Sequence, residues 1–235
     1  MTGPARRRIA TLAAIAVLGL GAHSALASQR TLTRAQAQDA AAAIGLRRSD
    51  LPKLAAQSNP ITAQQRRFSA KLTACLGGVP DTEAYAEAQS PTFTGAGTSS
   101  LTVSSTTEIL PTAALVDEDL RAVDSAQGIP CLQSQLGDQL KASLAKGAAL
   151  EIHGTPLPLV VEGSDGTFAL RFAVIVTIKQ GRSTLPVHLY YDTIGFAYGQ
   201  AEVGFDVLST SATPSTALER RLGASLLARA RAEIG

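Results

Sequence analysis

The second half of the chain alternates between apolar and polar residues, and this pattern limits the fold more than any other feature. Every second residue from 168 to 178 is apolar, and the stretches 185–191 and 201–207 repeat the same period of two. That period is typical of strands that bury one face. Short connections join these strands, and short connections require antiparallel pairing. The sequence therefore predicts an antiparallel sheet.

Two more strands are predicted upstream, at 101–109 and at 150–161. Pro156 and Pro158 interrupt the second of these, which indicates an edge strand or a bulge. The remaining segments have the spacing of amphipathic helices. The predicted class is α+β: a single domain with a twisted antiparallel sheet of about five strands and helices packed on it.

Helix starts are marked by two capping boxes, in which a threonine precedes a glutamine by three residues: Thr33 with Gln36 and Thr62 with Gln65. The first helix has an almost purely alanine face and can bury little area. We therefore predict that residues 28–61 form a tether with one loosely held helix, and that residues 62–235 form the α+β domain.

The first 27 residues have the three parts of a secretory signal peptide. Arg6–Arg8 supply the positive charge, 9–21 is apolar, and Ala25-Leu26-Ala27 is an A-x-A site before Ser28. The apolar run is shorter than the roughly 20 residues that span a membrane. Because Ser28 is not a cysteine, no lipid anchor is expected. The prediction is cleavage between Ala27 and Ser28, a secreted or extracytoplasmic location (periplasm or cell wall), and no stable membrane anchor after processing.

Charge gives no sign of a polyanionic partner. Three of the 21 basic residues lie in the signal segment and none of the 19 acidic residues does, so 18 basic and 19 acidic groups remain, a net charge of −1. Nucleic-acid-binding domains carry a basic surface instead. No nucleic-acid partner is expected.

Cys75 and Cys131 are the only cysteines, 56 positions apart. An even number in an exported chain favours one disulfide. Two unlinked buried thiols are the alternative. If the bridge forms, neither cysteine can serve as a nucleophile or a zinc ligand.

No catalytic or metal signature stands out. Ser143 and Lys146 match S-x-x-K, but the companion motifs of acyl enzymes are missing. His153 and His188 are 35 residues apart, each on a predicted strand, and could meet only across paired strands. Satisfied or solvent-facing histidines are the commoner case, so neither a metal nor another cofactor is expected. Four acids crowd one helix and are interpreted as a solvated face: Asp117, Glu118, Asp119 and Asp124.

Tyrosines supply the candidate binding residues. Tyr190 and Tyr191 are adjacent on a strand and must face opposite sides. Tyrosine joins a large apolar body to a hydroxyl group, which suits recognition surfaces. We hypothesise that Tyr190 and Tyr198, with His188 beside them, border the site of a small apolar ligand or an envelope protein at one end of the sheet. Ordinary core packing is the alternative.

Five stretches also resemble the exported sensor-like domains of actinobacteria, such as the extracellular domain of PknH-type serine/threonine kinases and related secreted proteins and lipoproteins. They are Asp50-Leu51-Pro52, the Cys75 helix leading to Ser90-Pro91-Thr92-Phe93, the Ser104-Ser105 strand, the helix that reaches Cys131, and Ile194–Gly199. The resemblance implies a curved antiparallel sheet of the PsbP/Mog1 type, with helices on one face, and a binding or sensing role. It supplies no catalytic residues.

The expected function is thus a non-enzymatic, exported binding or sensor-like module at the cell envelope. Two alternatives stay open. One is an envelope hydrolase whose site is assembled from scattered residues, for example His188 with Asp192 and a distant serine. The other is a structural wall-associated protein.

We predict that the protein purified from its native host begins at Ser28. N-terminal sequencing or intact mass measurement decides this. A chain that retains 9–21 would refute the predicted location.

Overall fold

The computed structural model describes residues 31–58, 60–96, 100–144, 148–180, 183–210 and 212–235. The predicted signal peptide and its cleavage site at Ala27 and Ser28 lie outside them. The described helices are α1 (Arg34–Ile44), α2 (Ala63–Leu76), α3 (Ala113–Val123), α4 (Gly128–Ser143) and α5 (Thr216–Ile234), with a short 3-10 helix at Asp81–Glu83. The described strands are β1 (Ala55–Gln57), β2 (Ala86–Gln89), β3 (Thr92–Thr94), β4 (Leu101–Ile109), β5 (Ala149–Pro156), β6 (Gly166–Gln180), β7 (Ser183–Tyr198) and β8 (Ala201–Thr210).

The class is α+β, as predicted, and all strands join one antiparallel sheet in the order β1-β3-β4-β8-β7-β6-β5. The predicted number of about five strands is wrong, because the sheet has eight. The three missed strands have only three or four residues each, too few to show a period of two. β2 and β3 both pair with β4 and are separated by Ser90 and Pro91. β5 lies at the sheet edge, as Pro156 and Pro158 indicate.

Helices cover both faces of the sheet, not one face as the resemblance implied. α1 and α5 pack on one face, called here the α1/α5 face, and α2, α3 and α4 pack on the other, called the α2–α4 face. The main core lies under α1 and α5. Its largest buried side chains are Phe93, Phe196, Phe205, Ile44, Ile109, Ile194, Leu222, Leu226 and Ile234.

α1 belongs to this core, which corrects the prediction of a tether with a loosely held helix. Ala37 and Ala41 are fully buried. Their small side chains allow the helix backbone to approach β2, β4 and α5 closely. The capping box of Thr33 and Gln36 forms as predicted. A face of alanines thus gives close packing here.

α2 is held differently, because none of its residues is buried. Its C-terminal end is bonded to the first turns of α4 by the predicted Cys75–Cys131 disulfide, with 5.8 Å between the two Cα atoms. Thr62 and Gln65 form the predicted capping box at its start. None of the described helices is both long and apolar enough to span a membrane.

We predict that the Cys75→Ser, Cys131→Ser double variant loses up to about 4 kcal/mol of unfolding free energy, because the bridge closes a long loop in the unfolded chain. Urea unfolding measures this loss. The wild type treated with reductant serves as the matched control and should gain two hydrogens in intact mass. A wild-type mass that reductant leaves unchanged would contradict the bridge.

Candidate functional site

Three glutamates lie side by side on the α2–α4 face. The strand register pairs Glu87 of β2 with Glu108 of β4, and Glu108 with Glu202 of β8. Paired residues share a face, and neighbouring strands are about 4.8 Å apart. We call these three side chains the carboxylate row.

Alternation along the strands fixes where the row points. Val103 and Ile109 of β4, and Val203 and Phe205 of β8, fill the core on the α1/α5 face. The residues between them must therefore face α2, α3 and α4. Because helices also cover that face, the three acids are half-buried.

α2 lies over the carboxylate row but does not fill the space between itself and the sheet. A cavity of about 370 Å³ lies between α2, α4 and the sheet. Its floor includes Glu87 and Glu108, and its walls are largely apolar: Ile61, Phe68, Leu72, Leu132, Leu136 and Phe172. A smaller space of about 170 Å³ shares Leu72, Leu132 and Glu108 with it and reaches Asp119 and Glu202.

The floor of the larger cavity has a gap at Gly204. This glycine is paired with Thr106, in the row next to the carboxylate row. A Cβ added to Gly204 would meet no atom within 4 Å. Beside Thr106 lies Gln89, whose Oε1 is buried without a hydrogen-bond partner among the described residues. The cavity thus reaches the backbone of β8 and meets an unused acceptor.

Asp119 of α3 closes the inner end, which corrects its assignment to a solvated face. It follows Val116 by three residues and so lies on the buried stripe of the helix. Its Oδ1 accepts a hydrogen bond of 2.7 Å from the Val79 backbone N–H. Asp117, Glu118 and Asp124 are exposed, as expected.

Burial, reinforced by mutual repulsion, raises the pKa of these acids. Burial, with the charges of Asp81, Glu87 and Asp119, raises the pKa of Glu108 to about 8. Burial, then the charges of Asp119 and Glu108, raises the pKa of Glu202 well above its usual value. Glu202 also shares a hydrogen bond with Asp119, whose pKa burial raises as well. Glu108 therefore holds its proton near pH 7.

A further acid, Asp206, lies on the floor beyond Gly204. Burial raises its pKa, while hydrogen bonds from Tyr191 and Thr193 oppose the change. The Tyr191 hydroxyl donates to Asp206 Oδ1 at 2.7 Å. Among the described residues that line the larger cavity, Arg66 is the only basic one, and its Nη1 lies 3.8 Å from Glu87 Oε2.

The structure does not bring the predicted binding tyrosines together. Tyr190, Tyr198 and His188 all lie on the α1/α5 side of β7, which runs unbroken from Ser183 to Tyr198. Eight positions along a strand separate Tyr190 from Tyr198, about 26 Å. Tyr198 lies instead beneath the Arg231 guanidinium, 6.0 Å from the ring centre. Tyr190 is half-buried and His188 beside it is exposed. Their binding role stays a prediction.

The other sequence candidates are also placed. Asp192 is buried and forms a two-pronged ion pair with Arg171, so it does not serve His188. His153 lies two strands away from His188. In the part of the chain that the structure describes, no three His, Cys, Asp or Glu side chains could hold a metal ion. Lys146 and the Ser143 side chain lie outside the described residues.

Sequence reasoning missed the carboxylate row because it assigned the second face of each strand to solvent. One signal was present. Glu202, Gly204 and Asp206 alternate with the apolar residues of β8. They therefore share the strand face that helices packed on the second side of the sheet would cover.

Comparisons with known proteins add no assignment. No family model matches the chain, and no curated protein or solved structure matches it either. The resemblance to PknH-type sensor domains stays a prediction.

We predict that the wild type becomes less stable as the pH rises from 5 to 8. In that range the unfolded chain releases the Glu108 proton while the folded protein retains it, so the free energy of unfolding falls. Glu108→Gln removes this contribution, and we expect its loss over the same range to be smaller by about 1–3 kcal/mol, or roughly 2–10 °C in Tm.

Urea unfolding at each pH measures the effect. Glu118→Gln makes the same chemical change at an exposed acid and should keep the wild-type profile. Parallel profiles for Glu108→Gln and the wild type would contradict the assigned burial of Glu108.

Proposed function

We propose that this chain is an exported, non-enzymatic binding protein that holds a small ligand in the cavity between α2, α4 and the sheet. One observation carries the proposal. About 370 Å³ of space lies open above Gly204 and beside two of the three acids of the carboxylate row. A space of 300–1,000 Å³ is typical of ligand pockets.

The lining supports a ligand with two kinds of surface. Phe68 and Leu72 of α2 face Leu132 and Leu136 of α4 across the apolar walls. The floor is polar. Ligand sites combine such apolar walls with a few convergent polar groups that fix orientation.

The way α2 is attached also supports binding. It buries no residue fully, yet it covers the cavity, and its firmest attachment is Cys75–Cys131. Few apolar contacts oppose its displacement, and elements that admit ligands are drawn from such weakly held parts.

The envelope location is part of the proposal. It is supported by the disulfide, by the predicted signal peptide, and by the resemblance to sensor-like domains. A sensing role would then couple the filled cavity to an envelope protein. The open strand face around Tyr190 and His188, with Tyr198 further along β7, stays the predicted partner contact.

The hydrolase alternative has less support. Its proposed dyad of His188 and Asp192 is not formed, because Asp192 is paired with Arg171. A purely structural wall role does not account for the cavity with Glu87 and Glu108 on its floor.

We predict that the protein purified from its native host carries a small molecule, visible as a mass increment by native mass spectrometry. Gly204→Leu should abolish the increment, because the new side chain enters the open space above β8. Gly204→Ala is the matched control and should retain most of it. Circular dichroism confirms that both variants fold. A wild type with no increment, or a folded Gly204→Leu variant that keeps it, would refute the cavity as the site.

A further inference from the structure

We infer that the ligand is an organic cation: a protonated amine on a small apolar body, with its ammonium group at the carboxylate row. The inference rests on the proposed function and names the chemistry of that same cavity.

Ionising the row is costly unless a cation meets it. Like charges directly opposite on neighbouring strands destabilise a sheet, and Glu87, Glu108 and Glu202 occupy three neighbouring strands. The described cavity linings add further acids, Asp81, Asp119 and Asp206, against the single basic residue Arg66. An anionic ligand would be repelled from this floor.

An unused acceptor points to a hydrogen-bond donor independently of charge. Gln89 Oε1 borders the larger cavity and is buried. It has no hydrogen-bond partner among the described residues. A buried acceptor without a donor costs about 1–3 kcal/mol. An ammonium group brings three N–H donors.

An organic cation fits the arrangement better than a metal ion. Calcium requires six to eight oxygens within 2.3–2.6 Å of one point. The acids instead follow the strand spacing of about 4.8 Å, and no three of the described acids and histidines are grouped to hold a metal. An ammonium group needs no such shell of oxygens, because its three N–H donors can bond to acceptors that lie on different sides of it.

The apolar walls determine the rest of the ligand. Phe68 of α2, Leu132 of α4 and Phe172 of β6 line the same cavity as Glu108. A ring or a short alkyl chain attached to the amine would contact them. Amines that lack an apolar body would leave these walls without a contact. Amines that also carry a carboxylate would bring a negative charge to the acidic floor.

Protons should leave when the cation binds. Glu108 holds its proton near pH 7, and an adjacent ammonium group favours the ionised form. The groups that face Glu108 from the surrounding elements are Arg66 of α2, Asp81 of the 3-10 helix, Glu87 of β2, Asp119 of α3 and Glu202 of β8. Affinity should therefore rise between pH 6 and pH 8.

The test compares compounds that share one apolar group and differ only in the polar group attached to it. Isothermal titration of the full protein at pH 8 uses two series: phenethylammonium, phenethyl alcohol and phenylacetate, then butylammonium, butanol and butyrate. We expect at least one ammonium to bind with a Kd below about 1 mM and at least tenfold more tightly than its alcohol and carboxylate. Glu108→Gln should lower that affinity at least tenfold, whereas Glu118→Gln should not.

Three results would overturn the inference: no ammonium binding, an alcohol or carboxylate that binds as tightly, or an ammonium preference that survives Glu108→Gln. Gly204→Leu separates these from a failure of the cavity itself. If Gly204→Leu removes binding that has no charge preference, the cavity stands and the cation is wrong. If binding is unaffected by Gly204→Leu, the site lies elsewhere and both proposals fail.

Discussion

Helix packing on both faces of one antiparallel sheet is the constraint on which the rest of the structure depends. A strand of alternating residues usually offers one face to the core and the other to water. Here α1 and α5 cover one face, and α2, α3 and α4 cover the other. Polar residues on β4 and β8 are therefore partly enclosed, and this enclosure turns ordinary strand glutamates into a half-buried acidic floor.

The sequence predicts well whatever depends on local pattern. The long strands, both capping boxes, the edge position of β5 and the Cys75–Cys131 bridge are all found. β1, β2 and β3 were missed because strands of three or four residues are held by pairing with neighbours rather than by their own pattern. The packing of α1 was missed because small side chains count as weak burial until the partner surface is known.

The candidate site was not predictable, for a related reason. Tyr190 and Tyr198 looked close only because β7 was expected to stop near 191, whereas the strand continues to Tyr198 and separates them. Asp119 lies on the buried stripe of α3, but among four acids it looked like part of a charged surface. Glu108 and Glu202 become neighbours only through the pairing of β4 with β8, across more than 90 residues. Such proximity is a property of topology and not of any segment.

α2 is attached covalently at one end only, through Cys75–Cys131, and this end can act as a pivot for the helix. Its covalently bonded end is Cys75, and its other end begins at Ala63, beside the residues that line the cavity, where the Arg66–Glu87 ion pair is the contact to the sheet. A helix of 14 residues is about 21 Å long. The 12 residue steps from Cys75 back to Ala63 rise about 18 Å, so a tilt of about 10° at the bridge would move the far end by roughly 3 Å while the bridge itself would hardly move. A small angular change at the covalent pivot would thereby give a larger displacement at the cavity end of the helix.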